Sequence, residues 1–363
     1  MEPKALETLA EVAIAAVIKS GILLVVLLTA FAYTTLLERK VMALLQVRLG
    51  PNRAGPGGFF QPVADGIKLF FKEELIPAQA DRLLFIIAPV ITVIPALIIL
   101  AVVPFGPPAD ICIPTAIGQP DWKWVCYTVP LAVADLNVGL LYILSVASIA
   151  VYGIVLAGWS SANKYASLGG LRSTAQMVSY EIALGLSVVG PVLLTGSLSL
   201  TKITEWQADN YWIVLAQPIG ALIFLLATLA EVNRAPFDMP EAEQELTAGY
   251  HTEYSGMKFA LFFMAEYIKM VAVSAVGVTL FFGGYLGPFL DVAPNWLAAI
   301  LGLFYFTLKT VFFLVVMIWV RATLPRLRYD QLMRFGWKVM LPLALANVAV
   351  TAVAMVVFAG KAG

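Results

Sequence analysis

Eight apolar stretches, each long enough to cross a bilayer, constrain this chain more than any other feature. A spanning helix takes about 20 predominantly apolar residues. Segments at about 12–37, 83–103, 130–157, 173–195, 211–231, 258–282, 297–320 and 338–359 qualify, and the gaps between them hold the Pro, Gly and charge. No repeat or low-complexity tract interrupts the pattern. Of the 363 residues 61% are hydrophobic and only 13% charged, where a soluble domain carries about 25%. A surface this poor in charge takes lipid as its solvent. The expected fold is therefore an all-α integral membrane protein of eight transmembrane helices plus a cytoplasmic-side amphipathic surface helix. Residues 1–363 read as one polytopic membrane domain.

Several function classes drop out. Net charge is zero, which gives no hint of nucleic acid. There are two cysteines, Cys112 and Cys126, and one histidine, His251. An iron–sulfur cluster wants four thiolates, and zinc or haem wants grouped His or Cys ligands, so no metal or flavin is expected in this chain. Redox centres, if used, lie in partner chains. Acidic residues precede the first apolar run and no small-residue cleavage site follows it, so that run reads as a first span.

Lys and Arg set the orientation. The first, third, fifth and seventh loops hold fifteen of them, from Arg39 to Lys338, while the opposite loops and tails hold Lys4, Lys123, Lys202 and Lys361. The odd loops are thus cytoplasmic, with both termini outside a bacterial-type plasma membrane. The second loop, 104–129, contains both cysteines. Facing an oxidising space they could pair; two unpaired thiols fit equally well.

Chemistry gathers in three places. In the first loop, Pro62 suits a helix start, and Val63, Ile67, Phe70 and Phe71 share one face, with Asp65, Lys68 and Lys72 towards the other side. Such a helix is a membrane-resting connector or a lip that admits a lipid-soluble molecule. Ionisable residues sit inside spans: Glu181 in the fourth, Glu266 and Lys269 in the sixth, Lys309 in the seventh. A charge at bilayer centre costs about 2.5–3.5 kcal/mol on insertion scales and usually marks a proton or ion path. The bland alternative is an internal Glu–Lys pair joining helices. Lys19, near a helix end, snorkels. The loop at 231–256 carries Glu231, Asp238, Glu241, Glu243, Glu245 and Glu253 against the single arginine Arg234. It is a solvated face, or a mouth whose crowded carboxylates titrate together and lead inward to Glu231, Glu181 and Glu266. Three classes could use this set: a subunit coupling quinone chemistry to proton movement, a proton-linked transporter, and a plain membrane anchor. A stand-alone transporter often shows paired interrupted helices in its two halves, and no such pair is visible.

Four long segments, ERKVMALLQVRLGPNRAGP, GWSSANKYASLGGLRSTAQMVSYE, EVNRAPFDMPEAEQELTAGYHTEYSG and RATLPRLRYDQLMRFGWK, resemble in order the signature segments of one family. It is the quinone-site membrane subunit of respiratory complex I, the NADH:quinone oxidoreductase. The likeness runs from about residue 25 to 345. It implies eight transmembrane helices, no redox centre in this chain, and a chamber for quinone (ubiquinone or menaquinone) shared with peripheral-arm quinone-site and iron–sulfur subunits, beside other complex I membrane subunits. It implies a tunnel and chamber at Arg39, Lys68, Arg234, Phe237, Asp238 and Glu241. It also implies a proton path through Glu181, Glu231, Glu241, Glu243, Glu245, Glu253 and Glu266. The second loop and the N-terminal tail look longer than in compact members. The nearest rival is the homologous subunit of a membrane-bound hydrogenase-type complex, against which the QVRLGPNR and PFDMPEAEQEL segments weigh.

Overall fold

The computed structural model describes residues 9–114, 124–239, 249–290 and 293–359. Their helices are α1 (Leu9–Leu45), α2 (Gln61–Phe71), α3 (Arg82–Ile99), α4 (Gly139–Ser160), α5 (Lys164–Thr195), α6 (Leu200–Asp209), α7 (Ile213–Ala216), α8 (Pro218–Glu231), α9 (Gly256–Phe281), α10 (Asn295–Thr323), α11 (Tyr329–Phe335) and α12 (Leu341–Ala359). A π-helical turn, Gly336–Met340, joins the last two. One hairpin, β1 (Ala109–Pro114) with β2 (Trp124–Val129), pairs antiparallel with Cys112 opposite Cys126 in register. The side chains of both cysteines lie outside the described residues.

Seven helices are long and apolar enough to cross a membrane: α1, α3, α4, α5, α9, α10 and the α11–α12 unit. The stretch expected as a span at 211–231 is helical but broken, and no single helix covers it. Gln217 leaves helical geometry (φ −127°, ψ 53°), Pro218 follows, and α7 is only four residues long. The fourteen residues of α8 rise about 21 Å at ~1.5 Å each, short of a hydrocarbon core of about 30 Å.

Local chemistry explains where the other ends fall. Asp81 caps α3, accepting from Leu83 N at 3.1 Å and Leu84 N at 3.4 Å. Asn163 caps α5 through Tyr165 N at 3.0 Å, so that helix starts nine residues before its apolar run suggested. The run at 130–157 becomes helical only from Gly139. Its first residues form bends and a turn, where Lys19 Nζ donates to the carbonyls of Pro130 (2.9 Å) and Ala132 (3.1 Å) and the Asp135 side chain accepts from Ser199 and Thr201. The α3–α4 contact is intimate, since a Cβ at Gly153 would collide with Thr92 and the Ala88 carbonyl.

α2 buries none of its residues, and Val63, Ile67, Phe70 and Phe71 are all exposed. A helix with this face uncovered is built to lie on lipid. It is tied to the end of α1 by the Arg39–Asp65 ion pair at 2.6 Å and by the Tyr33 and Phe59 rings, 5.0 Å apart.

Candidate functional site

α1 continues past residue 37 to Leu45, which makes Glu38 and Arg39 consecutive helical residues about 100° apart around the axis. They therefore face different ways. Arg39 is exposed beside α2, where Lys68 is exposed as well. Glu38 points into the bundle and is 2% exposed.

Glu38 meets two arginines from distant parts of the chain. Arg234 Nη1 lies 3.1 Å from Glu38 Oε1, and Arg321 at the end of α10 pairs with the same oxygen. Arg234 follows α8 in a turn where Asn233 takes a positive φ of 55° and Arg234 N bonds to Leu229 O at 3.1 Å. Only 3% of Arg234 is exposed. Its Nε sits 2.6 Å from Glu266 Oε1 on α9, and its guanidinium covers the Tyr267 ring at 4.4 Å. Burial by itself disfavours the Arg234 cation, but Glu266 and Glu38 outweigh it and hold its pKa above the usual arginine value. It is a charge locked on.

One turn further along α9, Lys269 reaches Glu231 at 3.3 Å, both buried. Glu266 and Lys269 each reach across to another element, Glu266 to Arg234 and Lys269 to Glu231. Glu231 Oε2 is buried with no partner among the described residues. Glu181 on α5 accepts from the Ser148 hydroxyl of α4 and acts electrostatically on Glu231. An apolar cavity between α3, α4, α5, α8 and α9, lined by Ile99, Ala147, Leu184, Phe224, Val273 and others, opens against Glu231. Lys309 pairs with carbonyls rather than carboxylates, donating to those of Phe282, Gly284 and Leu286.

The remaining expected residues fall elsewhere. Glu253 accepts from Asn163 at 2.7 Å and lines an open cleft with Gln79, Ser161 and Lys164. Beside it, Tyr254 stacks on Phe85 with ring centroids 4.0 Å apart, and burial pushes its hydroxyl up to about 12. Phe237 is buried among Tyr180 and Phe335. Asp238 is half-buried. Glu241, Glu243 and Glu245 lie outside the described residues. Among the described residues no group of three or more His, Cys, Asp or Glu is placed to hold a metal.

Sequence reasoning passed over Glu38, Arg321, Ser148 and His251. A signal existed for Glu38: within ERK, a helix that turns Arg39 towards the surface turns its neighbour towards the core.

The arrangement is an electrostatic chain. Arg321, Glu38, Arg234 and Glu266 form one linked cluster, Lys269 and Glu231 a second, and Glu181 with Ser148 a third. The sequence profile described as NADH dehydrogenase matches residues 18–352. The chain is 52% identical over 344 residues to an NADH-quinone oxidoreductase subunit of Geobacter sulfurreducens, covering 94% of each chain. It is 52% identical over 324 residues to the corresponding NADH-quinone oxidoreductase subunit of Protochlamydia amoebophila, covering 89% of this chain and 92% of that one. To NADH-quinone oxidoreductase subunit 8 of Thermus thermophilus it is 49% identical over 335 residues, covering 92% and 85%. By this extent of likeness, the chain belongs to the NADH dehydrogenase family, as a membrane subunit.

Proposed function

We propose that the chain works as one polytopic membrane unit of a proton-translocating NADH:quinone oxidoreductase, binding no redox centre itself. Quinone slips from the bilayer between the end of α1 and α2, past Arg39 and Lys68, into a chamber shared with peripheral-arm subunits. Arg234, Phe237 and Asp238 lie on the chamber side, and Glu241 contributes its carboxylate to the same role. The observation that carries this reading is the buried relay of opposite charges, from Glu38 through Arg234 and Glu266 to Lys269, Glu231 and Glu181. Plain helix joining does not call for it, because a buried ion pair is often no more stabilising than an apolar replacement.

Coupling follows from magnitudes. A unit charge appearing about 10 Å from a carboxylate acts with about 1.7 kcal/mol at an effective dielectric of ~20. One pKa unit is about 1.4 kcal/mol, so reduction of quinone shifts the protonation of a buried acid by more than tenfold. Glu231 and the acids at 241, 243, 245 and 253 respond first, and Glu181 and Glu266 carry the change inward to the pump subunits. The loops rich in Lys and Arg face the cytoplasm, and both termini lie outside the plasma membrane.

The test is Glu231→Gln and Glu181→Gln in the assembled complex. Electron transfer from NADH to an artificial acceptor stays intact, while quinone-linked turnover and proton pumping fall together. Full turnover and pumping in both variants overturns the reading.

A further inference from the structure

We propose that His251, the chain's one histidine, is a proton-relay residue that passes protons through a water-sized cavity to the Glu231 carboxylate. The proposal rests on the coupling role given above to Glu231 and Glu266, and it names the group that feeds them.

His251 ends the short 3-10 turn Gly249–His251 and is 6% exposed. Its ring lies 3.8 Å from that of Tyr250, centroid to centroid, 5.8 Å from Phe262 and 6.2 Å from Phe263. A phenylalanine would fill that aromatic box as well. What distinguishes an imidazole is the space it borders. His251 lines an internal cavity of about 20 Å³ together with Asn233, Thr92, Glu231, Glu266 and Lys269. A water needs about 10–15 Å³ by this measure and 2–4 polar partners. The space suffices for one water, and the buried Glu231 Oε2 has no partner among the described residues. A water seated there bridges imidazole and carboxylate.

Histidine is the side chain whose ordinary titration falls between pH 5 and 8, and its two nitrogens let a proton arrive on one side and leave from the other. In the step, one ring nitrogen takes a proton from a carboxylic acid, and the other gives its own to the water. The water gives one of its protons to Glu231, which becomes the neutral acid. The ring is left as its other tautomer, and turning over about the Cβ–Cγ bond brings an N–H back to the cavity side for the next transfer. No electron moves and no further reactant is needed. In the sequence, the carboxylates Glu241, Glu243 and Glu245 precede His251 by six to ten residues.

Among the described residues, the charged and titratable groups that share this cavity with the ring are few. Glu231 faces it from α8, and Glu266 and Lys269 face it from α9. Its own segment adds Tyr250, Glu253 and Tyr254. α3 lends the cavity only Thr92, α4 carries no Asp, Glu, Lys or Arg, and Lys164, Arg172 and Glu181 of α5 do not line it.

The experiment uses the whole complex in membranes, comparing His251→Ala, His251→Gln and His251→Phe with Glu231→Gln and Glu266→Gln. Each is measured for NADH oxidation by an artificial acceptor, quinone-linked turnover and pumping between pH 6 and 8. All three histidine variants are expected to keep acceptor reduction and to lose about tenfold or more in pumping, with one ionisation gone from the pH profile. Added imidazole is expected to restore His251→Ala several-fold and His251→Phe not at all, because only the smaller residue leaves room for it. Full pumping in His251→Gln or His251→Phe, beside inactive Glu231→Gln, sinks the relay alone. Loss in His251→Ala that imidazole leaves untouched and His251→Phe repairs makes the residue a packing element and also sinks it. If His251→Ala does not assemble, His251→Gln decides by its pH profile. Full pumping in both glutamate variants overturns the underlying coupling role.

Discussion

At one end of the bundle Lys19 and Lys309 donate to backbone carbonyls; at the other, Lys269 and Arg234 face carboxylates. The two groups carry the same kind of charge, half-buried at Lys19 and Lys309 and buried at Arg234 and Lys269, and settle it differently. A carbonyl is a neutral acceptor that cannot take up a proton, so Lys309, held by three of them and lying over the Trp212 ring at 4.8 Å, is fixed whatever happens nearby. A carboxylate partner can be neutralised. Around Arg234 and Lys269 every link is one protonation away from breaking, and Glu38 and Glu231 each keep one buried oxygen without a partner among the described residues. The first end is a fastening, the second a set of states.

That contrast can be broken or sharpened by substitution. The largest effect is expected from Arg234→Met, which removes the one cation that Glu38 and Glu266 share and leaves Glu38 to Arg321. Removing one partner of a buried pair costs about 3–5 kcal/mol, so little assembled complex should survive mild-detergent extraction. Wild-type amounts would show that charge pairing does not hold this end. Next comes Lys269→Met, with a loss in the same range of about 3–5 kcal/mol but only one carboxylate affected. Adding Glu231→Gln to it should recover most of the lost thermal resistance, as no unpaired charge then remains. A double variant no better than the single contradicts the pairing.

Lys309→Met should cost about 1–3 kcal/mol, the range for leaving buried acceptors unsatisfied. It should lower the temperature of thermal inactivation while turnover per assembled complex stays unchanged. A changed pumping ratio in this variant would erase the distinction between the two ends. The smallest stability effect belongs to Arg39→Ala, because an exposed pair such as Arg39–Asp65 contributes about 0–1 kcal/mol. Its consequence should appear instead as a raised KM for quinone with acceptor reduction intact.

Much of this molecule is legible in its residues alone. Span positions follow from length and polarity, which act locally, so seven of them reappear as long helices. The intramembrane positions of Glu181, Glu266, Lys269 and Lys309 are visible for the same reason. Their partners are not. Lys269 is as free on paper to pair with Glu266, three residues away, as with Glu231 on another helix. Arg321 and Glu38 lie 283 positions apart, and no periodicity encodes such a meeting. The break at Gln217 escapes notice because the apolar run continues across it. There, Asn347 and Thr351 of α12 take up the Gln217 amide, a tertiary device that hydropathy does not register. The hairpin carrying Cys112 and Cys126 is hidden in a loop with no alternation long enough to read.

α1 is unbroken from Lys19 to Glu38. Those nineteen residues measure about 28 Å at ~1.5 Å each, close to the ~30 Å of a bilayer's hydrocarbon. The helix is thus a ruler with a fixed graduation at either end: Lys19 grips the segment before α4, and Glu38 grips Arg234 and Arg321. Because helices answer a thinner membrane by tilting, lipid chain length becomes an input to the protein. Any such tilt bears on the Glu38 end, where one carboxylate is held by two arginines.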